Sequence, residues 1–125
     1  MSTIKTNNLQ AVAGGAIAPI ADVINGSARA WVNFNGTGTV AIRASYNVAS
    51  ITDNGLGDWT VNFTNALPDA NYAACPVGNY TEGTGVGASG RPIQPKTYTT
   101  TSVRLISTDG GSGVDMEKVN VTIHR

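Results

Sequence analysis

The sequence predicts an all-β fold, an antiparallel β-sandwich of about seven strands. Three features of residues 29–125 lead to this prediction. Short segments alternate apolar and polar side chains, Asn-Gly and glycine-rich breaks separate these segments, and no segment has the apolar spacing of a helix. With 125 residues, the chain is long enough to bury a core in one domain without disulfides.

The first predicted strand pair spans residues 29–34 and 38–45. Asn35 and Gly36 separate the two segments, and an Asn-Gly pair between alternating segments is a strong hairpin signal. The sequence therefore predicts a hairpin at this position.

The second predicted pair spans residues 46–52 and 57–64, with a turn at residues 53–55 (Asp-Asn-Gly). Alternation along the second strand fixes its register, because a slip of one residue would bury the polar side. The side chains expected on one face are Trp59, Val61 and Phe63, and we predict that Trp59 and Phe63 belong to the core.

Three more strands are predicted, over residues 71–77, 97–107 and 118–124, after a turn at Pro68. The last two are rich in β-branched residues, which favour strands. In the last strand the residues expected to point one way are Val119, Val121 and Ile123, and those expected to point the other way are Asn120, Thr122 and His124.

Residues 1–28 differ from the rest of the chain, because they lack aromatic residues and period-two alternation. We interpret them as an N-terminal arm, and residues 29–125 as the sandwich domain. The apolar run from Ala11 to Ile24 is interrupted by glycine and proline and is too short to cross a membrane. We therefore expect neither a secretion signal nor membrane insertion.

Two segments resemble a small domain that recurs in bacteriophage tail-fibre and related virion fibre proteins. They read WVNFNGTGTVAIR and SITDNGLGDWTVNF, and the C-terminal KVNVTIHR is similar to a lesser degree. The resemblance implies a homotrimeric virion protein, a short tail fibre or tail-tip component that attaches the particle to the host surface. Residues 1–28 would then join other virion proteins. An alternative is a head or tail decoration protein that makes no contact with the receptor.

The longest non-periodic stretch of the domain lies between Val77 and Thr97. Long loops in compact domains often carry function. We expect receptor contacts in this loop, with a host glycan or a host protein as the partner, through Tyr80, Glu82 and Arg91.

Charge and composition argue against several other functions. Eight Lys and Arg residues balance eight Asp and Glu residues, and no basic stripe is visible, so we expect no nucleic-acid partner. The chain has one cysteine and one histidine, Cys75 and His124, which is too few for the usual zinc or iron ligand sets. We expect Cys75 to be a buried, inert thiol.

Catalysis is not predicted. His124 has no orienting partner near it in sequence, so it is a poor general base. We therefore predict no enzyme, no catalytic residues, no metal and no cofactor; the least favoured alternative is cleavage of a surface polysaccharide by two carboxylates. The acidic residues beside glycine-rich turns are expected to form Asx turns rather than an ion site, and they are Asp53, Asp58, Asp109 and Asp115.

Overall fold

The computed structural model describes residue 3, residues 5–10, residue 15 and residues 17–79, 92–109 and 111–125. It confirms the predicted all-β class, with strands in 61% of the described residues and one short helix among them. The N-terminal elements are the strands β1 (Asn8–Gln10) and β2 (Ile17–Pro19) and the helix α1 (Ile20–Gly26).

Nine further strands form two antiparallel sheets. They are β3 (Ala28–Asn35), β4 (Ala41–Tyr46), β5 (Val48–Gly55), β6 (Asp58–Phe63), β7 (Ala73–Asn79), β8 (Ile93–Tyr98), β9 (Ser102–Asp109), β10 (Ser112–Gly113) and β11 (Lys118–His124). One sheet has the order β4-β3-β11-β7, and the other has the order β10-β9-β6-β5, with β8 also paired to β9. The strand count exceeds the predicted seven by two, because residues 93–109 form two strands and the two-residue strand β10 was not predicted.

The predicted pairing of β3 with β4 is confirmed, but the connection is a five-residue loop, residues 36–40, rather than a tight Asn-Gly turn. Gly36 lies buried in this loop. A Cβ atom there would lie 2.7 Å from the carbonyl oxygen of Met116 and 2.8 Å from the ring of Trp59. The glycine is therefore required for close approach of the backbone to the core, and not for a two-residue turn.

The pairing of β5 with β6 is also confirmed, although the turn is formed by Leu56 and Gly57 instead of residues 53–55. The Asp53 carboxylate accepts a hydrogen bond from the backbone N–H of Gly55 at 2.9 Å, which is the predicted Asx turn. A register shift between Asp53 and Gly55 accompanies it. Strand β5 therefore does not end before the Asp-Asn-Gly sequence but continues to Gly55 through this register shift.

The prediction of one strand over residues 97–107 is wrong, because two strands, β8 and β9, meet there in a hairpin. The turn contains threonines and no Gly, Asn or Pro. The Thr99 hydroxyl accepts hydrogen bonds from the backbone N–H groups of Thr101 and Ser102, at 3.2 and 2.9 Å, and so replaces the usual turn residues. Strand β8 begins inside the predicted loop and includes Pro95. Proline is tolerated there because β8 is an edge strand that, among the described strands, pairs only with β9, and a register shift follows Pro95.

The core lies between the two sheets and is built from the inward residues of β3, β6, β9 and β11. The predicted core residues Trp59 and Phe63 are buried, and the Phe34 and Trp59 rings meet edge to face at a centroid distance of 5.8 Å. The predicted alternation in the last strand is confirmed. The fully buried large side chains are Trp59, Phe34, Leu105, Met116, Ile123, Val32, Val61, Val103, Val119 and Val121.

The expectation that Cys75 is buried is wrong, since its side chain is exposed. Along β7 the half-buried positions are Ala74, Pro76 and Gly78, so the two-residue period turns Cys75 outward. The general preference of cysteine for protein interiors is overridden here by the register of the strand.

Candidate binding surface

The outer face of the four-stranded sheet carries two adjacent rows without acidic or basic side chains. Strand registers place Tyr46, Trp31, Thr122 and Cys75 in the first row. The second row, also taken in the order of the strands, consists of Ala44, Asn33, Asn120 and Val77. Exposed sheet faces usually carry charge, so this face differs from an ordinary solvated surface.

Two aromatic side chains dominate one edge of this face, and we call them the aromatic shelf. Trp31 on β3 pairs directly with Tyr46 on β4, and their exposed fractions are 38% and 58%. Cross-strand neighbours of this kind lie about 5 Å apart at Cβ, so the two side chains are neighbours on the outer face. Large aromatic side chains left in contact with solvent are typical of sites that bind another molecule.

Sequence position explains why Trp31 is exposed. In β3 the buried residues are Ala30, Val32 and Phe34, and the strand period therefore sends Trp31 and Asn33 to the outer face. Asn33 donates a hydrogen bond through its amide nitrogen to the side-chain oxygen of Asn120. This contact joins β3 to β11 in the row next to the shelf.

A cavity of about 420 Å³ lies beside the shelf, between α1 and the sandwich. Its lining combines apolar groups with a few polar ones, a composition typical of binding sites. The lining residues are Val23, Ile24, Ser27, Ala28, Arg29, Tyr46, Asn47, Asn65, Ala66, Leu67 and Pro68.

Asn47 fixes the corner below Tyr46, where the chain passes from β4 in one sheet to β5 in the other. Its φ angle is +54°, a left-handed conformation that asparagine tolerates better than most residues. Its amide nitrogen donates to the carbonyl oxygens of Arg29 and Asn65, at 3.1 and 3.2 Å. Asn47 thus ties three chain segments together at the floor of the cavity.

Ion pairs at this end of the molecule involve the C-terminal residue. The Arg125 guanidinium binds both carboxylate oxygens of Asp69, with Nε to Oδ1 at 2.9 Å, and this contact lowers the pKa of Asp69 to about 2. Arg29 donates through Nε to the main-chain oxygen of Arg125 at 2.9 Å. The Arg29 guanidinium therefore contributes a fixed positive charge beside the cavity.

The helix and strands before β3 expose their apolar side chains. Helix α1 contains no buried residue, and no side chain caps its N-terminus. The exposed large apolar residues of this part are Leu9, Ile17, Val23 and Ile24. Val23 and Ile24 line the same cavity as Tyr46, so exposed apolar side chains of the arm lie next to the shelf.

The predicted contact residues Tyr80, Glu82 and Arg91 lie outside the described residues. Their flanks are described: β7 ends at Asn79, which pairs with Lys118, and β8 begins at Ile93, which pairs with Ser107. Strand β3 runs in the same direction as β7, and its first residue is at the opposite end of the sheet. The segment 80–91 is therefore attached at the end away from α1.

The acidic residues beside glycine turns have different roles. Asp58 pairs with Arg104, Nε to Oδ1 at 2.8 Å, and the hydrogen bond from this guanidinium lowers the Asp58 pKa. Asp115 accepts a hydrogen bond from the backbone N–H of Gly57 at 2.7 Å. The predicted Asx turns are therefore wrong for Asp58 and Asp115. The side chain of Asp109 lies outside the described part of the structure.

The described ranges contain neither a cluster of metal-ligating side chains nor a membrane-spanning helix. Within residues 17–79, 92–109 and 111–125 and the described N-terminal positions, no three His, Cys, Asp or Glu side chains are grouped to hold a metal ion. Among the same residues, no helix is both long and apolar enough to cross a membrane.

Comparison of the chain with protein-family models, with curated proteins and with solved structures found no match.

Sequence analysis did not select the aromatic shelf as a site. The alternation of β3 does indicate that Trp31 is exposed, because Val32 and Phe34 point into the core and Trp31 therefore points outward. Pairing with Tyr46 depends on the register shift between Asn33 and Phe34, which the sequence does not indicate.

Proposed function

We propose that this protein is a structural component of a bacteriophage virion, a short tail fibre or tail-tip part that attaches the particle to the host surface. The resemblance of the two hairpin segments to virion fibre domains suggests this function. The single observation that supports it best is that helix α1 and the strand ends flanking residues 80–91, Asn79 and Ile93, lie at opposite ends of the sandwich. A bridging protein needs two separated contact regions.

The distance between these ends is about 25 Å, because β3 has eight residues and strands rise about 3.3 Å per residue. In the proposal, residues 1–28 join the particle and residues 80–91 face the host. Tyr80, Glu82 and Arg91 remain the proposed contacts to a host glycan or protein. We propose no catalytic role for the chain.

We also propose that the working form is a homotrimer in the virion. Strand β4 is exposed along its whole length at an edge of its sheet. An exposed edge beside two outer rows without charged side chains favours association with other chains. The formal net charge of zero means that copies repel each other little.

Adsorption of particles tests the attachment role. Phage carrying Tyr80→Ala, Glu82→Ala and Arg91→Ala together should adsorb at least tenfold more slowly, with normal particle yield. A matched control carries Thr37→Ala and Thr39→Ala in the loop between β3 and β4, which lies at the same end. Unchanged adsorption of the triple variant would contradict a receptor contact in this loop.

A second candidate function is a head or tail decoration protein without receptor contact. The clustering of exposed apolar side chains around α1 and the shelf favours it, because such surfaces suit docking to another protein. Purified protein would then bind particles that lack it and would not bind host cells. Binding to cells that the triple variant loses would exclude this alternative.

A further inference from the structure

We infer that the aromatic shelf of one copy binds the N-terminal arm of a second copy. This inference rests on the proposed homotrimer and specifies the surfaces that hold it together. Trp31 and Tyr46 form the acceptor, and the segment from Ile17 to Gly26 is the occupant.

The first argument is that the arm cannot be stable by itself. Helix α1 has seven residues, no side-chain cap and no buried residue. Isolated helices shorter than about 12 residues are marginal in water, and most helical stability in proteins comes from packing an apolar face. The paired strands β1 and β2 have three residues each, and a lone two-stranded ribbon is also marginal. The arm therefore requires a surface to pack against.

The second argument is that the arm does not fill the shelf of its own chain. Val23 and Ile24 line the cavity of about 420 Å³ beside Tyr46, yet they remain 38% and 45% exposed. Tyr46 is more exposed than either residue. Both the donor and the acceptor thus have apolar surface left to bury.

Surface area favours an arm on a shelf over two shelves face to face. Aromatic side chains of this type bury about 150–250 Å² each, so the exposed parts of Trp31 and Tyr46 amount to about 200 Å². A stable interface needs about 800 Å² per partner. Two shelves alone fall well short, whereas in a ring each copy buries both its shelf and the exposed apolar side chains of its arm, Ile17, Val23 and Ile24.

Charge complementarity supports the same pairing. Asp22 is the single ionisable residue between Ile17 and Gly26, and it is exposed. On the acceptor side, Arg29 lines the cavity, and its Nε is anchored to the main-chain oxygen of Arg125. An arm lying in the cavity would bring a negative charge toward a fixed positive one.

The symmetry of this contact has a consequence for assembly. An arm and a shelf are different surfaces, so the interface is heterologous. Heterologous contacts build closed rings, or filaments when the rotation does not close. Closure after three copies gives the proposed homotrimer and leaves no arm or shelf unpaired.

Molar mass from light scattering tests the inference with paired variants of the full chain. One variant carries Trp31→Ser and Tyr46→Ser, and another carries Ile17→Ser and Asp22→Ser, two exposed arm residues that do not line the cavity. Both should lose the trimer and become monomers that still unfold cooperatively, since the substituted side chains lie outside the core. A matched control with Leu56→Ser and Val77→Ser, which changes two other exposed apolar residues, should remain trimeric.

Mixing the two monomeric variants gives a sharper result. The shelf variant still has an intact arm, and the arm variant still has an intact shelf, so one contact can form between them. We expect a species of twice the chain mass in the mixture and none in either variant alone. Trimers in both variants would overturn the inference and leave the trimer standing, whereas a monomeric native chain would show that the proposed trimer itself is wrong.

Discussion

Asn47 and Asn65 hold each other through main-chain and side-chain atoms at the corner between the two sheets. The Asn47 side-chain oxygen accepts the backbone N–H of Asn65 at 2.8 Å, and its amide nitrogen donates to the Asn65 carbonyl oxygen at 3.2 Å. One side chain thereby satisfies both backbone groups of a loop residue. This arrangement fixes the strand end that carries Tyr46.

Replacing Asn47 should separate its two contributions. Asn47→Gly keeps the left-handed backbone and removes the side-chain hydrogen bonds, at a cost of about 2–3 kcal/mol in unfolding free energy. Asn47→Ala also forces alanine into positive φ and should cost about 1 kcal/mol more. Denaturant titration measures both. The control Asn71→Ala, at an exposed asparagine, should change the free energy of unfolding by less than about 0.5 kcal/mol. Equal losses of stability at Asn47 and Asn71 would contradict a stabilising role for the Asn47 hydrogen bonds.

Two glycines with positive φ should respond very differently to alanine. At Gly57 an added Cβ would lie 2.3 Å from the backbone nitrogen of Val114 and 2.4 Å from the carbonyl oxygen of Ser107. At Gly38 nothing lies within 4 Å. We expect Gly57→Ala to cost about 3 kcal/mol or more, and Gly38→Ala to cost about 1 kcal/mol from backbone strain alone. Similar unfolding midpoints for the two variants would be incompatible with the close packing of the turn at Gly57.

Acid should weaken the fold through Asp69. Its pKa is about 2 in the folded protein, below the ordinary value of 3.8, because Arg125 binds the ionised carboxylate. A lowered folded-state pKa contributes stability above pH 4, and that contribution is lost as the pH falls toward 2. Asp69→Asn should therefore flatten the dependence of unfolding free energy on pH in this window. Superimposable profiles for the variant and the native chain would refute the contribution.

The Cys75 thiol should react in the folded protein. It lies at the β7 edge of its sheet, three strands away from Tyr46 and outside the area assigned to the arm. We expect a colorimetric thiol reagent to modify one group per chain without denaturant, and Cys75→Ser to alter stability by less than about 0.5 kcal/mol. A thiol that reacts only after unfolding would restore the original expectation of a buried cysteine.

Strand alternation made much of the sandwich predictable. The two-residue period of β6 predicts a shared face for Trp59, Val61 and Phe63, all of which are buried, and the same period predicts the inward side chains of β11. The positions of turns are harder to predict from the sequence. The hairpin at Thr99 contains no residue that marks a turn by composition, because a side-chain hydroxyl forms the necessary hydrogen bonds.

Long-range contacts account for most of what the sequence did not predict. The role of Asp115 depends on Gly57, which is 58 residues away in the chain. The aromatic shelf depends on a register shift that brings Trp31 opposite Tyr46. Short-range patterns do not encode either pairing, so the candidate surface emerges only when the strands are assembled.

The molar mass of the native full chain in solution is the most direct test of the central claim, that this is a fibre-type protein held together by contacts between copies. Light scattering should give three times the chain mass of 12.9 kDa at micromolar concentration. A mass of one chain would contradict the proposed trimer and, with it, the exchange of arms between neighbouring copies.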